Sequence, residues 1–183
     1  QLGIATGFVR SVANFGQRLA LEVEGRKLSY NELFEKAASI AATIQRHSPD
    51  PACRLTAVFG YRSVTAFAGV LGALLAGTGY VPLNRTFPKD RTAKMLRRSA
   101  CRCLVVDGTS ELQLDAVLAG LEESLLVLLP ERSDVTDFAQ RWPTHRFLGA
   151  GDLVSREEWV KPEVIDTGIA YLLFTSGSTG EPK

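Results

Sequence analysis

The sequence predicts an α/β fold, a mostly parallel sheet flanked by helices, and three observations predict it. Short apolar runs suited to buried strands recur at Arg54 to Gly60, Gly79 to Leu83, Leu104 to Val106 and Leu125 to Leu129. Segments with apolar residues three and four apart lie between them, as crossover helices require. The composition is that of a globular chain: 183 residues, 45% apolar and 22% charged, with 16 Gly and 8 Pro. Collagen-like, disulfide-scaffold and wholly disordered classes are excluded by these values.

The elements follow in order. Leu19, Leu21 and Val23 alternate with Ala20, Glu22 and Glu24, and Glu24-Gly25 turns the chain into Lys27-Leu28, so a hairpin is expected. Ser29 and Glu32 have capping-box spacing and open a helix whose face carries Leu33, Ala37, Ile40 and Ile44. The strand Arg54 to Gly60 comes next. From Ser63 to Asn84 the chain carries no charge, about the length of a membrane span, yet Gly69, Gly72, Gly77, Gly79 and Pro82 fall inside it. This stretch reads as a soluble helix with Leu71, Leu74 and Leu75 buried, ended by Gly77 as a cap and followed by the strand Gly79 to Leu83.

Pro88 with Asp90 starts a further helix, with Met95 and Leu96 on its apolar side and Arg97 and Arg98 at its end, where cations suit the helix dipole. Leu104 to Val106 is a strand stopped by Asp107-Gly108, Leu112 to Leu121 reads as a helix, and Leu125 to Leu129 as a strand. From Pro130 to Pro162 periodicity fades and a loop-rich connection is expected. Ile169 to Phe174 then reads as a last buried strand.

Charge and special residues narrow the function classes. Twenty-one basic and 20 acidic residues leave a net charge of +1, so the total offers no attraction to nucleic acid or to a lipid surface, and neither is expected as a partner. Cys101 and Cys103 stand one residue apart, too close for C-x-x-C chemistry, and with Cys53 they read as free thiols, buried or half-buried. Free thiols suit a reducing compartment, and no signal-peptide pattern opens the chain, so a cytoplasmic location is expected. His47 and His145 lack a second histidine at metal-ligand spacing; both read as surface or loop residues, and no metal site is expected from side chains.

The chemistry concentrates where the last strand meets Thr175-Ser176-Gly177-Ser178-Thr179-Gly180-Glu181-Pro182-Lys183. Open α/β sheets bind ligands at the carboxyl ends of their strands. Gly177 and Gly180 let backbone N–H groups turn toward an anion, the hydroxyls of Thr175, Ser176, Ser178 and Thr179 can donate to phosphate oxygens, and Lys183 adds a point charge. A polyphosphate is the ligand these groups suit. A solvated Ser/Gly linker is the alternative, though it does not account for an apolar strand feeding straight into the segment. A Walker A loop fails, because counting from Gly177 puts Pro182 where the second glycine belongs. A dinucleotide fingerprint fails too, since Gly77-Thr78-Gly79 continues to Pro82.

Three segments in order resemble the motifs of the adenylate-forming (AMP-binding) enzymes. Leu28-Ser29-Tyr30-Asn31-Glu32-Leu33 resembles L-[TS]-Y-x-E-L, and Leu75-Ala76-Gly77-Thr78-Gly79-Tyr80-Val81-Pro82-Leu83-Asn84 resembles A-G-x-x-Y-V-P-[LI]-D. Ala170 to Lys183 is similar to A-Y-x-x-[YF]-T-S-G-S-T-G-x-P-K, the family's phosphate-binding loop. Asn84-Arg85 departs from the Asp-Pro usual in amino-acid-activating members, while Pro88 and Arg91 keep the P-x-x-R that follows. Tyr80-Val81-Pro82 and Ser178 lean toward the adenylation domains of nonribosomal peptide synthetases.

The resemblance implies that residues 1–183 are the first part of the large N-terminal lobe, with the rest of that lobe, the small C-terminal lobe and the catalytic residues beyond Lys183. On that expectation the chain by itself is incomplete and inactive. The implied reaction uses Mg²⁺ and ATP to convert a carboxylic acid, in this branch an amino acid, to an acyl adenylate with release of pyrophosphate. The acyl group then passes to the phosphopantetheine thiol of a carrier protein, and neighbouring synthetase domains are possible partners. Thr175, Ser176, Gly177, Ser178, Thr179, Gly180 and Lys183 would hold the phosphates. An acyl- or aryl-CoA ligase shares the pattern and changes the thiol acceptor. A non-catalytic docking fragment of a synthetase is the reading from a different class.

Overall fold

The computed structural model describes residues 4–163 and 170–174. It opens with helix α1, Ile4–Phe15, for which the sequence reading had no element. Strands β1 (Leu19–Val23) and β2 (Arg26–Ser29) form the expected antiparallel hairpin, with Val23 opposite Arg26. Glu24 and Gly25 both take positive φ, 53° and 70°, which gives the two-residue turn the twist its strands need. Helix α2 (Tyr30–His47) starts at Ser29, whose Oγ accepts the Glu32 N–H at 3.2 Å.

Strand β3 (Leu55–Phe59), helix α3 (Val64–Leu75) and strand β4 (Gly79–Leu83) fall close to their expected places. Ser63 caps α3 by accepting the Ala66 N–H at 3.0 Å. At its other end the Gly77 N–H donates to Leu74 and the Thr78 N–H to Ala73, with Gly77 at φ 85°, which is a Schellman closure. The buried face of α3 differs from expectation. Leu75 is buried, but Leu71 and Leu74 are only half-buried, and Ala68, Gly69, Gly72 and Ala73 hold the inside positions. Small residues win that face because α2 packs close against it: a Cβ on Gly72 would come within 2.7 Å of Ile40 Cγ2. No helix among the described residues is long and apolar enough to cross a membrane.

Helix α4 (Lys89–Ser99) begins after Pro88 with Asp90 in its first turn, as expected, and Arg97 and Arg98 lie in its last. Strand β5 (Cys103–Val106) follows. The helix expected over Leu112 to Leu121 is shorter, a 3-10 turn at Ser110–Gln113 and then α5 at Leu114–Leu118, with Leu112 85% exposed. Strand β6 is Leu126–Leu129. The connection expected to be loop-rich holds two elements, helix α6 (Thr136–Arg141) and strand β7 (Arg146–Gly149). Arg146-Phe147-Leu148-Gly149 is too short and too mixed to read as a strand by pattern. Its pairing to the apolar edge of β6, Leu126 to Arg146 through Leu129 to Gly149, is what makes it one.

Five strands form one parallel sheet in the order β4-β3-β5-β6-β7. Chain order reverses between β3 and β5, the arrangement of doubly wound sheets. Both faces are covered, which is why β5 and β6 are apolar and buried at every position. One face packs Phe59, Leu83, Leu104 and Leu129 against Met95, Leu96, Leu114, Leu118 and Phe138. The other packs Val105, Leu126 and Leu128 against Leu33, Ile40 and Ile44 of α2 and Ala68 of α3. His145, read from sequence as a surface or loop residue, is buried between α6 and β7, where its Nδ1 accepts the Leu125 N–H at 3.1 Å.

Candidate functional site

Parallel strands deliver their carboxyl ends to one edge of the sheet, and the segment leading to the candidate phosphate loop joins that edge. The Tyr80 N–H donates to the Ala170 carbonyl and the Leu172 N–H to the Tyr80 carbonyl, both at 3.0 Å. This parallel bridge between Tyr80 and Tyr171 adds a backbone partner on the free side of β4. From this bridge the described chain runs on to Phe174, the residue before Thr175, with Leu172 and Phe174 packed on the core.

The expected buried strand is therefore an edge segment with one bridge. Leu172 and Phe174 pack on the first face of the core, whereas Tyr171 and Leu173 are 54% and 58% exposed because nothing among the described residues covers their side. Tyr171 rests near the Tyr80 ring, with centroids 6.1 Å apart. Ile169 and the candidate phosphate-binding residues Thr175, Ser176, Gly177, Ser178, Thr179, Gly180 and Lys183 lie outside the described residues.

The rule for doubly wound sheets points to a second place at this edge, the crevice where β3 and β5 part. Here the structure places a carboxylate. Asp107 follows β5 directly and is 2% exposed. Its Oδ2 accepts the Tyr61 N–H at 3.1 Å and the Ser63 hydroxyl at 2.7 Å, and its Oδ1 accepts the Ser110 N–H at 2.8 Å. Arg85, just past β4, comes within 3.7 Å of Asp107, donates to the Tyr61 carbonyl at 3.0 Å and lies over the Tyr61 ring. Gly60 makes room: a Cβ there would stand 2.9 Å from Asp107 Oδ2.

A second carboxylate closes the neighbouring position. Glu131 Oε2 accepts the Gly108 N–H at 2.7 Å and the Thr65 hydroxyl at 2.9 Å. The Ser63 and Thr65 hydroxyls at the head of α3 and the Gly108 and Ser110 N–H groups after β5 are thus engaged by the protein's own carboxylates. Glu111 and Arg132 pair beside them at 3.2 Å, and burial pushes the Glu111 carboxyl above its ordinary value. The sequence reading took Asp107-Gly108 as a strand stop and missed this network. The available signal was an acidic residue directly at the carboxyl end of an apolar strand.

The structure does not bring the cysteines and histidines to this edge. Cys53, Cys101 and Cys103 are free thiols, half-buried, buried and buried, as the sequence reading has them. Among the described residues no group of three or more His, Cys, Asp or Glu could hold a metal ion. Of the three motifs, the first opens α2, the second ends α3 and forms β4, and the described part of the third lies beside β4. The second and third motifs, far apart in the chain, thereby meet along one strand, Tyr80 against Tyr171.

Comparison with known proteins agrees with this arrangement. The family model for AMP-binding enzymes matches residues 8–183. Surfactin synthase subunit 3 of Bacillus subtilis is 32% identical over 164 residues, 90% of this chain and 11% of the relative. A D-alanine--D-alanyl carrier protein ligase of Bacillus velezensis is 32% identical over 157 residues, 85% of this chain and 26% of that protein. Among solved structures, IdnL7 superposes with a TM-score of 0.76 at 28% identity, over 95% of this chain and 33% of that one. The Vibrio cholerae adenylation domain AlmE, solved with glycyl-adenosine-5'-phosphate, has the same fold, with a TM-score of 0.81 at 22% identity over all of this chain and 34% of its own. The chain thus spans a third or less of the length of these relatives. With the family model matched from residue 8 to residue 183 and the three motifs in order along the chain, the chain belongs to the AMP-binding enzymes, the adenylate-forming family.

Proposed function

We propose that this chain is the first part of the large lobe of an adenylate-forming ligase. That ligase activates a carboxylic acid, most specifically an amino acid, as its acyl adenylate. The acyl group then goes to a phosphopantetheine thiol on a carrier protein. The observation that carries the reading is the third motif: its described residues join β4 through a parallel bridge at Tyr171, four residues before Thr175. At the second candidate position, the crevice between β3 and β5 at the carboxyl edge, Asp107 and Glu131 accept from Tyr61, Ser63 and Gly108, a carboxylate-lined place that suits an anion less than the hydroxyls and lysine of Thr175 to Lys183 do.

The donor set of that segment fits the group. Four hydroxyls, two glycines and one lysine supply neutral and charged donors and no carboxylate except Glu181. ATP with Mg²⁺ would supply the phosphoric anhydride at which the carboxylate is activated. The work proposed for this chain is to hold the β- and γ-phosphates and to compensate the charge that grows on the departing pyrophosphate. An amino acid and a carrier protein both stand in the name of the D-alanine--D-alanyl carrier protein ligase relative, which supports that branch.

The test measures the two half-reactions separately in the full-length protein that carries this chain. Lys183→Ala should slow pyrophosphate exchange on the order of tenfold to a thousandfold, as removal of one oxyanion donor does. Thiol loading from preformed acyl adenylate should change little, because pyrophosphate has already left. Equal losses in both steps would reduce the segment to a folding role. Loading of free coenzyme A in place of a carrier would assign the protein to the CoA ligases.

A further inference from the structure

The amino edge of the sheet, opposite the site just described, gathers all three cysteines of the chain. Cys53 lies in the turn between α2 and β3, and Cys101 and Cys103 lie where the chain enters β5. Strands β3 and β5 are parallel neighbours with Thr56 level with Cys103, so the register brings residue 53 level with Ala100. The contact confirms it: the Cys53 thiol stands 3.6 Å from the Ala100 carbonyl oxygen and 3.4 Å from that of Leu55. A carbonyl oxygen lies about 2.8 Å from the next Cα, which puts the Cys53 sulfur within about 6.5 Å of Cys101 Cα. A disulfide brings the two sulfurs to about 2.05 Å, so both side chains must rotate toward each other for the bridge to form.

We propose that Cys53 and Cys101 form an oxidisable thiol pair that a hydroperoxide converts to a disulfide across the amino ends of β3 and β5. Two features give the pair its order of reaction. Cys53 is half-exposed, whereas Cys101 and Cys103 are each 3% exposed. Burial pushes the Cys101 thiol up to about 12 and the Cys103 thiol to about 11, so the half-exposed Cys53 is the thiol that a peroxide reaches first. Access to Cys101 comes from a surface cavity of about 260 Å³ lined by Leu96, Arg97, Ala100, Cys101, Leu121 and Leu125, among others. Cys103 belongs to the other face of the sheet, with the side chains of α2.

In the reaction the Cys53 thiolate attacks one peroxide oxygen, the O–O bond breaks and hydroxide, or an alkoxide, leaves. Cys53 becomes a sulfenic acid. The sulfur of Cys101 then attacks the Cys53 sulfur, the S–O bond breaks, and the departing hydroxide takes up the Cys101 proton as water. Two thiols have lost two hydrogens and two electrons, and the peroxide has been reduced.

The test treats the folded chain with hydrogen peroxide, alkylates remaining thiols and maps the products by mass spectrometry. A chain lighter by about 2 Da with a Cys53 to Cys101 cross-link is expected, reversed by dithiothreitol. Cys53→Ser and Cys101→Ala should each abolish it and Cys103→Ser should keep it, with circular dichroism reporting whether each variant folds. Cys101→Ala that folds and leaves Cys53 trapped as a dimedone-reactive sulfenic acid would support the order of steps. A cross-link to Cys103, a cross-link that survives Cys53→Ser, or Cys53 passing to sulfinic acid without any cross-link in the wild-type chain would overturn the proposal.

Discussion

Asp107 holds three segments together with one carboxylate. It accepts from Tyr61 and Ser63 after β3 and from Ser110 after β5, and it faces Arg85 after β4. Asp107→Ala leaves those donors and a guanidinium without their acceptor, and should lower stability by about 3 kcal/mol in urea unfolding. Asp107→Asn keeps one acceptor oxygen and should cost about half as much; a loss below about 1 kcal/mol for the alanine variant would mean water replaces the carboxylate. His145 makes a second prediction at this scale. Its neutral Nδ1 accepts the Leu125 N–H, and burial holds its pKa below the ordinary 6.5. A depressed histidine pKa means that the unfolded chain takes the proton first. Its contribution is therefore intact above about pH 6.5 and is lost as pH falls from there through the folded value. His47 shifts the same way, through burial and then Arg146 and Arg46. Melting temperatures between pH 7.5 and 5.5 should fall in the wild-type chain and fall less in His145→Gln.

Close packing of α3 on α2 decides how each helix tolerates a methyl group. At Gly72 a Cβ would meet Ile40 Cγ2 at 2.7 Å and the Ala37 carbonyl oxygen at 3.0 Å. Gly72→Ala should destabilise by about 1–3 kcal/mol even though alanine favours a helix, because backbone of α2 cannot step aside as a side-chain end can. Gly7 in α1 has nothing within 4 Å of its would-be Cβ, so Gly7→Ala should stabilise by about 0.5–1 kcal/mol. Opposite signs for one substitution in two helices are the outcome to check by chemical denaturation. If both stabilise, α2 and α3 are not in the contact described.

For the whole molecule, the five-stranded sheet with helices on both faces should fold without the segment that bridges β4. That segment adds two backbone hydrogen bonds and the half-buried side chains of Leu172 and Phe174. Truncation to residues 1–163 should lower stability by about 2–3 kcal/mol while preserving one cooperative transition. Loss of cooperativity would make the bridge part of the core and not an addition to its edge. Tyr171 and Leu173 are more than half exposed, so in the untruncated chain their polar replacement should cost less than about 1 kcal/mol.

By itself the sequence determined the elements whose signals are local. Glu24-Gly25 specified the hairpin turn, Ser29 the start of α2, Gly77 the end of α3, and Leu104 to Val106 and Leu125 to Leu129 the central strands. Caps and turns act over three to five residues and continuous apolar runs need burial on both faces, so each is written where it acts. The tertiary structure alone decided the rest. Arg146–Gly149 is a strand because β6 offers it a ladder, and Leu71 yields the inside of α3 to Gly72 because Ile40 stands there. His145 is buried because Leu125, 20 residues away, supplies its donor. Asp107 joins residues 46 apart at the carboxyl edge, and Cys53 meets Ala100 across 47 residues at the other. Contacts of that separation depend on which strands lie side by side, and the order β4-β3-β5-β6-β7 is written in no local pattern.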